Sequence, residues 1–242
     1  CSSILRNNTK AKIISITGSC GKTTLKEMIG FILKKISRVS FSPKSFNNKY
    51  GVPLSLFNLK FNDEFGVFEV GMDKKGEIDN LTRIIKPDLG IITNISYAHS
   101  KNFQNINQIA SAKAEIMNNI KKNGIIVLNK DDNFYEYHKN FALKKKLRVI
   151  SFGIKNKYSI TKLVKIKKIK SKYELFINVD GKYVSFYSKN SNNSNTYNIL
   201  ATLAAISLYI DVNNLKKDIF LDIGSPNGRG NILKVKFKNK KI

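Results

Sequence analysis

Seven consecutive residues near the start of the chain have the types and spacing needed to hold phosphate groups. They are Gly18, Ser19, Cys20, Gly21, Lys22, Thr23 and Thr24. Glycines let backbone N–H groups approach phosphate oxygens, a lysine supplies a positive charge, and a threonine hydroxyl can reach Mg²⁺. The spacing is shorter than the common G-x-x-x-x-G-K-[ST] pattern, because Ile16 stands where its first glycine belongs. The segment predicts a nucleotide-binding loop, and an ordinary strand-to-helix turn with a chance lysine is the alternative.

Three further side chains are candidates for the same chemistry. Glu69 lies near the end of a predicted buried strand and could bind Mg²⁺, since hard oxygen ligands suit that ion. It could instead cap a helix or pair with a lysine. His99 follows another predicted strand, where a lone histidine is more often structural. Lys113 lies on a predicted helix, where a lysine is by default solvated. Residue type alone therefore leaves open whether His99 and Lys113 have a functional role.

Alternating strands and helices must position these residues. A first strand–helix unit covers residues 12–37; further strands are predicted at 39–42, 66–71, 88–95, 124–128 and 148–152, and helices at 54–59, 77–85 and 106–120. This alternation predicts an α/β fold with a doubly wound, mostly parallel sheet, in which ligands bind at the carboxyl ends of the strands.

The pattern changes in the last third of the chain. In residues 159–188, polar and apolar residues alternate at period two on both sides of Asp180-Gly181. This pattern predicts an appended antiparallel segment with a hairpin turn. Helices are predicted at 195–210 and 213–221. A loop at 224–230 then leads into a strand at 233–237 that is soon cut off.

The formal net charge of +26 suggests nucleic-acid binding at first sight. However, the lysines are scattered among asparagines and isoleucines, and the densest cluster, residues 162–172, alternates with apolar residues as an exposed strand face would. We therefore expect no nucleic-acid partner. A basic nucleic-acid-binding NTPase and a non-catalytic nucleotide-binding module remain alternatives.

Cysteine content and hydropathy indicate the compartment. Cys1 and Cys20 are the two cysteines, too few for a disulfide framework, which fits a reducing cytoplasm. No apolar run approaches the roughly 20 residues that a membrane span needs, and no signal peptide is recognisable. We expect a cytoplasmic monomer, and the opening Cys1 suggests a fragment of a longer protein.

Taken together, the motifs resemble the Mur ligases, the ATP-dependent amide-forming enzymes of peptidoglycan synthesis. The resemblance runs from about Lys12 to Arg229, through residues 17–24, 46–53, 69–71, 76–78, 92–99, 110–116 and 195–201. Residues 76–78 and 113–116 favour the branch that adds D-alanyl-D-alanine. The resemblance implies a P-loop-type fold, with a linker at 1–11, the central ATP-binding domain at 12–222 and the start of a truncated C-terminal ligase domain at 223–242.

The resemblance also implies roles for individual residues. Residues 18–24 would bind the ATP phosphates, and Thr23 and Glu69 would hold one Mg²⁺. His99 and Lys113 would serve a second metal site, with Lys113 as a carbamate, since CO₂ adds to a neutral amine and turns it into a carboxylate. Burial would favour that neutral form. The remaining implied contacts are Asn195 and Asn198 with adenine, Asn47 and Asn48 with the muramoyl-peptide substrate, and Arg229 with the phosphates; the catalytic set is Lys22, Lys113, His99 and Arg229.

The implied reaction joins D-alanyl-D-alanine to UDP-N-acetylmuramoyl-tripeptide through an acyl phosphate made from ATP. Another amide ligase of the same superfamily, such as a folylpolyglutamate or cyanophycin synthetase, is the alternative. Because neither flanking domain is complete in this sequence, we expect the chain alone to bind nucleotide with little or no ligase activity.

Overall fold

Nine strands form one sheet in the part of the chain that the structure describes. The structure is a computed structural model, and it describes residue 6, residues 9–97 and 102–223, and the backbone of residues 236, 237, 240 and 241. In chain order the strands are β1 (Lys12–Thr17), β2 (Val39–Phe41), β3 (Phe65–Glu69), β4 (Leu89–Ile92), β5 (Ile125–Asn129), β6 (Arg148–Gly153), β7 (Thr161–Ile169), β8 (Lys172–Val179) and β9 (Lys182–Ser188).

The order across the sheet is β2-β3-β1-β4-β5-β6-β7-β8-β9. Neighbours from β2 to β7 pair in parallel, and β7, β8 and β9 pair antiparallel. The predicted mostly parallel sheet with an appended antiparallel segment is therefore confirmed. A separate antiparallel pair joins β10 (Lys236–Phe237) and β11 (Lys240–Lys241).

Helices cover both faces of the sheet. They are α1 (Lys22–Lys34), α2 (Gly51–Phe57), α3 (Glu77–Ile85), α4 (Ile106–Ala114), α5 (Tyr135–Lys144) and α6 (Asn193–Ile206), with 3₁₀ helices at Glu115–Asn119 and Val212–Asn214. Ile14 and Ile16 of β1 lie in one apolar core with α1 and α6, and Ile13 lies in the other with α2 to α5. Because successive strand side chains point to opposite faces, a strand between two helix layers is buried on both faces, as residues 13–17 of β1 are.

Several element boundaries differ from the predictions. The helix predicted at 54–59 begins at Gly51, because the Asn48 side-chain oxygen accepts hydrogen bonds from the N–H groups of Tyr50 and Gly51. Pro53 is tolerated there, since N–H groups of a first helical turn have no intrahelical partner. Strand β4 ends at Ile92 rather than at residue 95, because Asn94 and Ser96 instead form hydrogen bonds with the loop after β1.

Two of the predicted helices differ from the structure by more than a shifted boundary. The helix predicted at 106–120 is α-helical only to Ala114 and continues as a 3₁₀ helix. The helix predicted at 213–221 is wrong: after Val212–Asn214 the chain makes isolated turns, with i→i+3 hydrogen bonds at Ile219 and Leu221. In contrast, the hairpin turn at Asp180-Gly181 is confirmed, with φ of 49° and 87°. Residues 164–168 of β7 are exposed, as predicted for the lysine-rich segment.

No helix within residues 9–97 and 102–223 combines the length and the apolar character that crossing a membrane requires.

Candidate active site

The phosphate loop connects β1 to α1, and its two glycines have positive φ angles, 141° at Gly18 and 83° at Gly21. A Cβ atom at Gly18 would lie 1.9 Å from Thr93 Oγ1, and one at Gly21 would lie 2.8 Å from Asn198 Oδ1. Both positions therefore require glycine on steric and conformational grounds. Gly21 is the N-cap of α1, so the loop ends at a helix N-terminus, which favours anions.

Residues just after β4 hold this loop in place. The Ser19 N–H donates to the Asn94 carbonyl at 2.9 Å, and the Cys20 N–H donates to Asn94 Oδ1 at 3.0 Å. Thr93 Oγ1 donates to the Cys20 carbonyl at 2.6 Å, and Ser19 Oγ donates to the Ser96 carbonyl at 2.9 Å. Thr93 and Asn94 thus fix the backbone of the phosphate loop, a role that sequence reasoning did not assign.

Lys22 begins α1 and is 8% exposed. Its Nζ donates to the carbonyls of Gly18 at 2.9 Å and Ser19 at 3.3 Å, so the ammonium lies over the loop. Thr24, in the same helical turn, is half-buried. The arrangement places one positive charge where phosphate groups would bind.

The Glu69 carboxylate lies beside the phosphate loop because β3 is the neighbour of β1 in the sheet. It is 1% exposed. Its Oε2 accepts a hydrogen bond from Thr23 Oγ1 at 2.8 Å, and its Oε1 accepts one from Asn47 Nδ2 at 2.8 Å. The structure therefore brings together three of the residues predicted for metal and substrate binding.

The donor set at Glu69 fits Mg²⁺, which prefers carboxylate and hydroxyl oxygens and usually keeps some water or phosphate ligands. Among the described residues, no group of three or more His, Cys, Asp or Glu side chains is placed to hold a metal ion. An ion at Thr23 and Glu69 would therefore depend on the nucleotide, water or a further residue to complete its coordination.

Lys113 lies in the last turn of α4 and is 2% exposed, in contrast to the solvated lysine that its helical position suggests by default. It lines a cavity of about 410 Å³ together with Lys22, Asn47 and Asn48. Burial, and then the positive charge of Lys22, lower the pKa of the Lys113 amine to about 7. A large share of this amine is therefore neutral near pH 7, the form that can add CO₂.

Lys113 should make the stability of the chain depend on pH. Its pKa is about 7 in the folded chain against an ordinary 10.5, so between these values the unfolded chain binds more protons and stability rises with pH. We expect Lys113→Met to stabilise the chain, by about 4 kcal/mol more at about pH 6.5 than at about pH 10. Urea unfolding of both chains in CO₂-free buffer measures this difference, and a constant difference across the range would contradict the depressed pKa.

A second cavity, of about 250 Å³, lies on the other side of the phosphate loop, against α6. Its lining residues are Cys20, Gly21, Thr93, Asn94, Phe152, Asn193, Ser194, Tyr197, Asn198 and Ala201. Asn198 is one of these lining residues, whereas Asn195 is absent from the lining and donates from Nδ2 to Ser188 Oγ at 2.8 Å. Residues 194, 197, 198 and 201 have the spacing of one face of a helix. This whole face could therefore have been predicted from the sequence, starting from Asn198.

The Tyr197 hydroxyl donates to Asp131 Oδ2 at 3.0 Å. Burial raises the pKa of Tyr197, and the Asp131 carboxylate raises it further. Asp131 also accepts hydrogen bonds from the backbone N–H groups of Ile154, Lys155 and Asn156. Asp131 therefore connects α6 to the loop after β6 at the side of the second cavity, a connection that sequence reasoning missed.

Asn48 lines the first cavity, while its Oδ1 accepts hydrogen bonds at the start of α2. His99 and Arg229 lie outside the described residues, so their predicted roles stay predictions.

Comparison with known proteins shows which family this chain is similar to. The family model of the Mur ligase middle domain matches residues 16–206. The UDP-N-acetylmuramoyl-tripeptide–D-alanyl-D-alanine ligase of Rickettsia prowazekii (strain Madrid E) is 35% identical over 243 residues, which cover 95% of this chain and 51% of the relative. The ligase of the same name from Borreliella burgdorferi is 34% identical, with 96% and 48% covered. The chain spans about half the length of these relatives.

Solved structures give the same result. The crystal structure of MurF from Acinetobacter baumannii superposes with a TM-score of 0.85 at 26% identity, over 99% of this chain and 52% of that one. MurF ligase from Thermotoga maritima, solved in complex with ADP, gives 0.78 at 25% identity, over 90% and 49%. The P-loop-type fold that the motifs implied is confirmed. The chain belongs to the Mur ligase family and contains its middle domain.

Proposed function

We propose that the full-length protein is an ATP-dependent amide ligase that joins D-alanyl-D-alanine to UDP-N-acetylmuramoyl-tripeptide in peptidoglycan synthesis. The supporting observation is that residues from three separate elements surround the phosphate loop. Thr23 and Glu69 are hydrogen-bonded to each other beside it, and Lys22 and Lys113 line one cavity. The names of the similar relatives support this branch over a folylpolyglutamate or cyanophycin synthetase.

The phosphate loop and the two cavities would bind different parts of the substrates. The phosphates would lie on residues 18–24, under Lys22, and the base would enter the second cavity beside Asn198. The first cavity would receive the terminal carboxylate of the tripeptide, beside Asn47 and Asn48. Thr23 and Glu69 would hold Mg²⁺, and Lys113 as a carbamate, with His99, would face a second ion. Bound Mg²⁺ supplies charge neutralisation during phosphoryl transfer.

The chemistry then follows in two displacements. An oxygen of the substrate carboxylate attacks the γ-phosphorus of ATP, and ADP leaves, which forms an acyl phosphate. The amine of D-alanyl-D-alanine attacks the acyl carbon, phosphate leaves, and the nitrogen loses a proton. Lys22 would stabilise the negative charge on the transferred phosphoryl group, with Arg229 as a second cation.

The remaining predictions are part of the same proposal. Residues 12–222 form the central ATP-binding domain, preceded by a linker at 1–11 and followed by the start of a ligase domain at 223–242. The enzyme would work as a monomer in the cytoplasm, where both nucleotide substrates are made.

Phosphate release by the full-length protein tests the proposal. We expect release from ATP only when UDP-N-acetylmuramoyl-tripeptide and D-alanyl-D-alanine are both present, because each displacement needs its own acceptor. Folate with glutamate is the matched control and should give no release. Release with folate, or tight and steeply salt-dependent DNA binding without ligation, would favour the alternatives. The 242-residue chain alone should bind ATP without ligation.

A further inference from the structure

The carboxylate of Glu115 joins two elements that are distant in sequence. Glu115 is the first residue of the 3₁₀ helix that continues α4, and it is 8% exposed. Its Oε1 accepts a hydrogen bond from the Gly76 N–H at 2.7 Å, and its Oε2 accepts one from the Asp79 N–H at 3.2 Å. Both donors belong to the N-terminus of α3, so one carboxylate bridges α4 and α3.

This bridge replaces an ordinary helix cap. The N-cap of α3 is Gly76, with φ of 90° and no side chain to accept from the first-turn N–H groups. Such caps normally come from a Ser, Thr, Asp or Asn at the N-cap itself. Here the acceptor comes from the helix that carries Lys113, two residues before Glu115. The start of α3 is therefore fixed in position relative to Lys113.

The capped segment also forms a wall of the first cavity. Gly71, Met72, Asp73 and Glu77 follow Glu69 along the chain and line this cavity together with Lys113. Glu77 Oε2 accepts hydrogen bonds from the N–H groups of Asp73 at 2.6 Å and of the next residue at 3.0 Å, which makes the wall rigid in itself. The contact between α3 and the 3₁₀ helix sets the distance between this wall and Lys113.

Polar side chains strengthen that contact. Asn119 Nδ2 donates to the Asp79 carbonyl at 3.1 Å and to Thr82 Oγ1 at 3.0 Å, and Asn118 Nδ2 donates to Asp79 Oδ1 at 2.9 Å. Glu115 is the member of this group that is closest in sequence to Lys113. It is also the one that accepts hydrogen bonds from the backbone N–H groups at the start of α3.

We infer that Glu115 is a positioning residue for the ligation reaction, which holds Lys113 and the wall at residues 71–77 in fixed register across the cavity. This inference rests on the proposed function. The reaction requires Lys113 and the substrate to be held within a fraction of an ångström, since a displacement of about 1 Å can cost about 100-fold in rate.

Glu115→Gln tests the inference, because the amide is isosteric but presents an N–H group to one of the two backbone donors. In the full-length protein we expect kcat to fall by about 10- to 100-fold, with KM for ATP changed by less than about threefold because the phosphate loop is not touched. In the 242-residue chain, amide hydrogen exchange at Gly76 and Asp79 should accelerate about tenfold while β1 stays protected. Glu115→Asp keeps the charge with a shorter reach and should give an intermediate kcat.

Glu136→Gln is the matched control. It removes the same charge from an exposed position on α5, where Glu136 pairs with Lys139, and it should leave kcat and exchange unchanged.

Each other outcome overturns a defined part of the inference. If exchange accelerates but kcat per folded enzyme stays within about twofold of the parent, Glu115 only stabilises the fold. If exchange at Gly76 and Asp79 is unchanged, the carboxylate does not hold the wall. If the parent protein does not ligate the named substrates, the proposed function fails, and the role of Glu115 in it fails too.

Discussion

Lys22→Ala is expected to weaken ATP binding by about 30- to 150-fold, because hydrogen bonds to charged phosphate groups contribute about 2 to 3 kcal/mol. The Lys22 ammonium lies over the carbonyls of Gly18 and Ser19 and is 8% exposed. Because the ammonium is mostly buried, solvent and salt screen its charge less than they screen the charge of an exposed lysine. Titration calorimetry with a non-hydrolysable ATP analogue on the 242-residue chain measures the effect directly.

Lys34→Ala is the control for this experiment. Lys34 is exposed and lies on the same helix, at the end away from the loop. It should change the affinity by less than about twofold, since an exposed charge at that distance is screened. Equal affinities for Lys22→Ala and the parent would mean that residues 18–24 are an ordinary turn, which was the alternative at the start.

The local parts of this site were predictable from sequence. An apolar strand, a turn with two glycines and an amphipathic helix specify the β1–loop–α1 unit, because each feature depends on neighbours within a few residues. Glu69 was also predictable, since it ends a strand whose residues are all buried. Thr93 and Asn94 were in a recognised motif, but their role depends on β4 lying next to β1, which is a property of the sheet order.

Other features depend on contacts that no local pattern encodes. Ile109, Ala112 and Ile116 continue one apolar stripe, so the sequence predicts an unbroken helix to residue 120. The structure changes to a 3₁₀ helix at Glu115, where the chain contacts α3. The burial of Lys113 has a similar origin, because helix packing decides which face of α4 meets the cavity.

Lys113→Ala is expected to lower kcat of the full-length protein by about 100- to 1000-fold, the usual cost of losing one group that stabilises transition-state charge. ATP affinity should stay within about threefold, since the hydrogen bonds that hold the phosphate loop come from Lys22 and residues 93–96 and not from Lys113. Lys122→Ala, an exposed lysine shortly after the same 3₁₀ helix, is the control and should leave kcat unchanged.

The dependence on CO₂ separates a carbamate from a simple positive charge at Lys113. The amine has a pKa of about 7, so near neutral pH it is partly neutral and can add CO₂ with loss of a proton. If the carbamate is the working form, depletion of CO₂ should lower the kcat of the parent, and added bicarbonate should restore it. Lys113→Ala should respond to neither treatment. A parent enzyme that is indifferent to CO₂, together with an active Lys113→Arg variant, would show that a cation at this position is sufficient. Loss of kcat in Lys113→Arg is the expected result, because a guanidinium keeps the positive charge that carbamylation would remove.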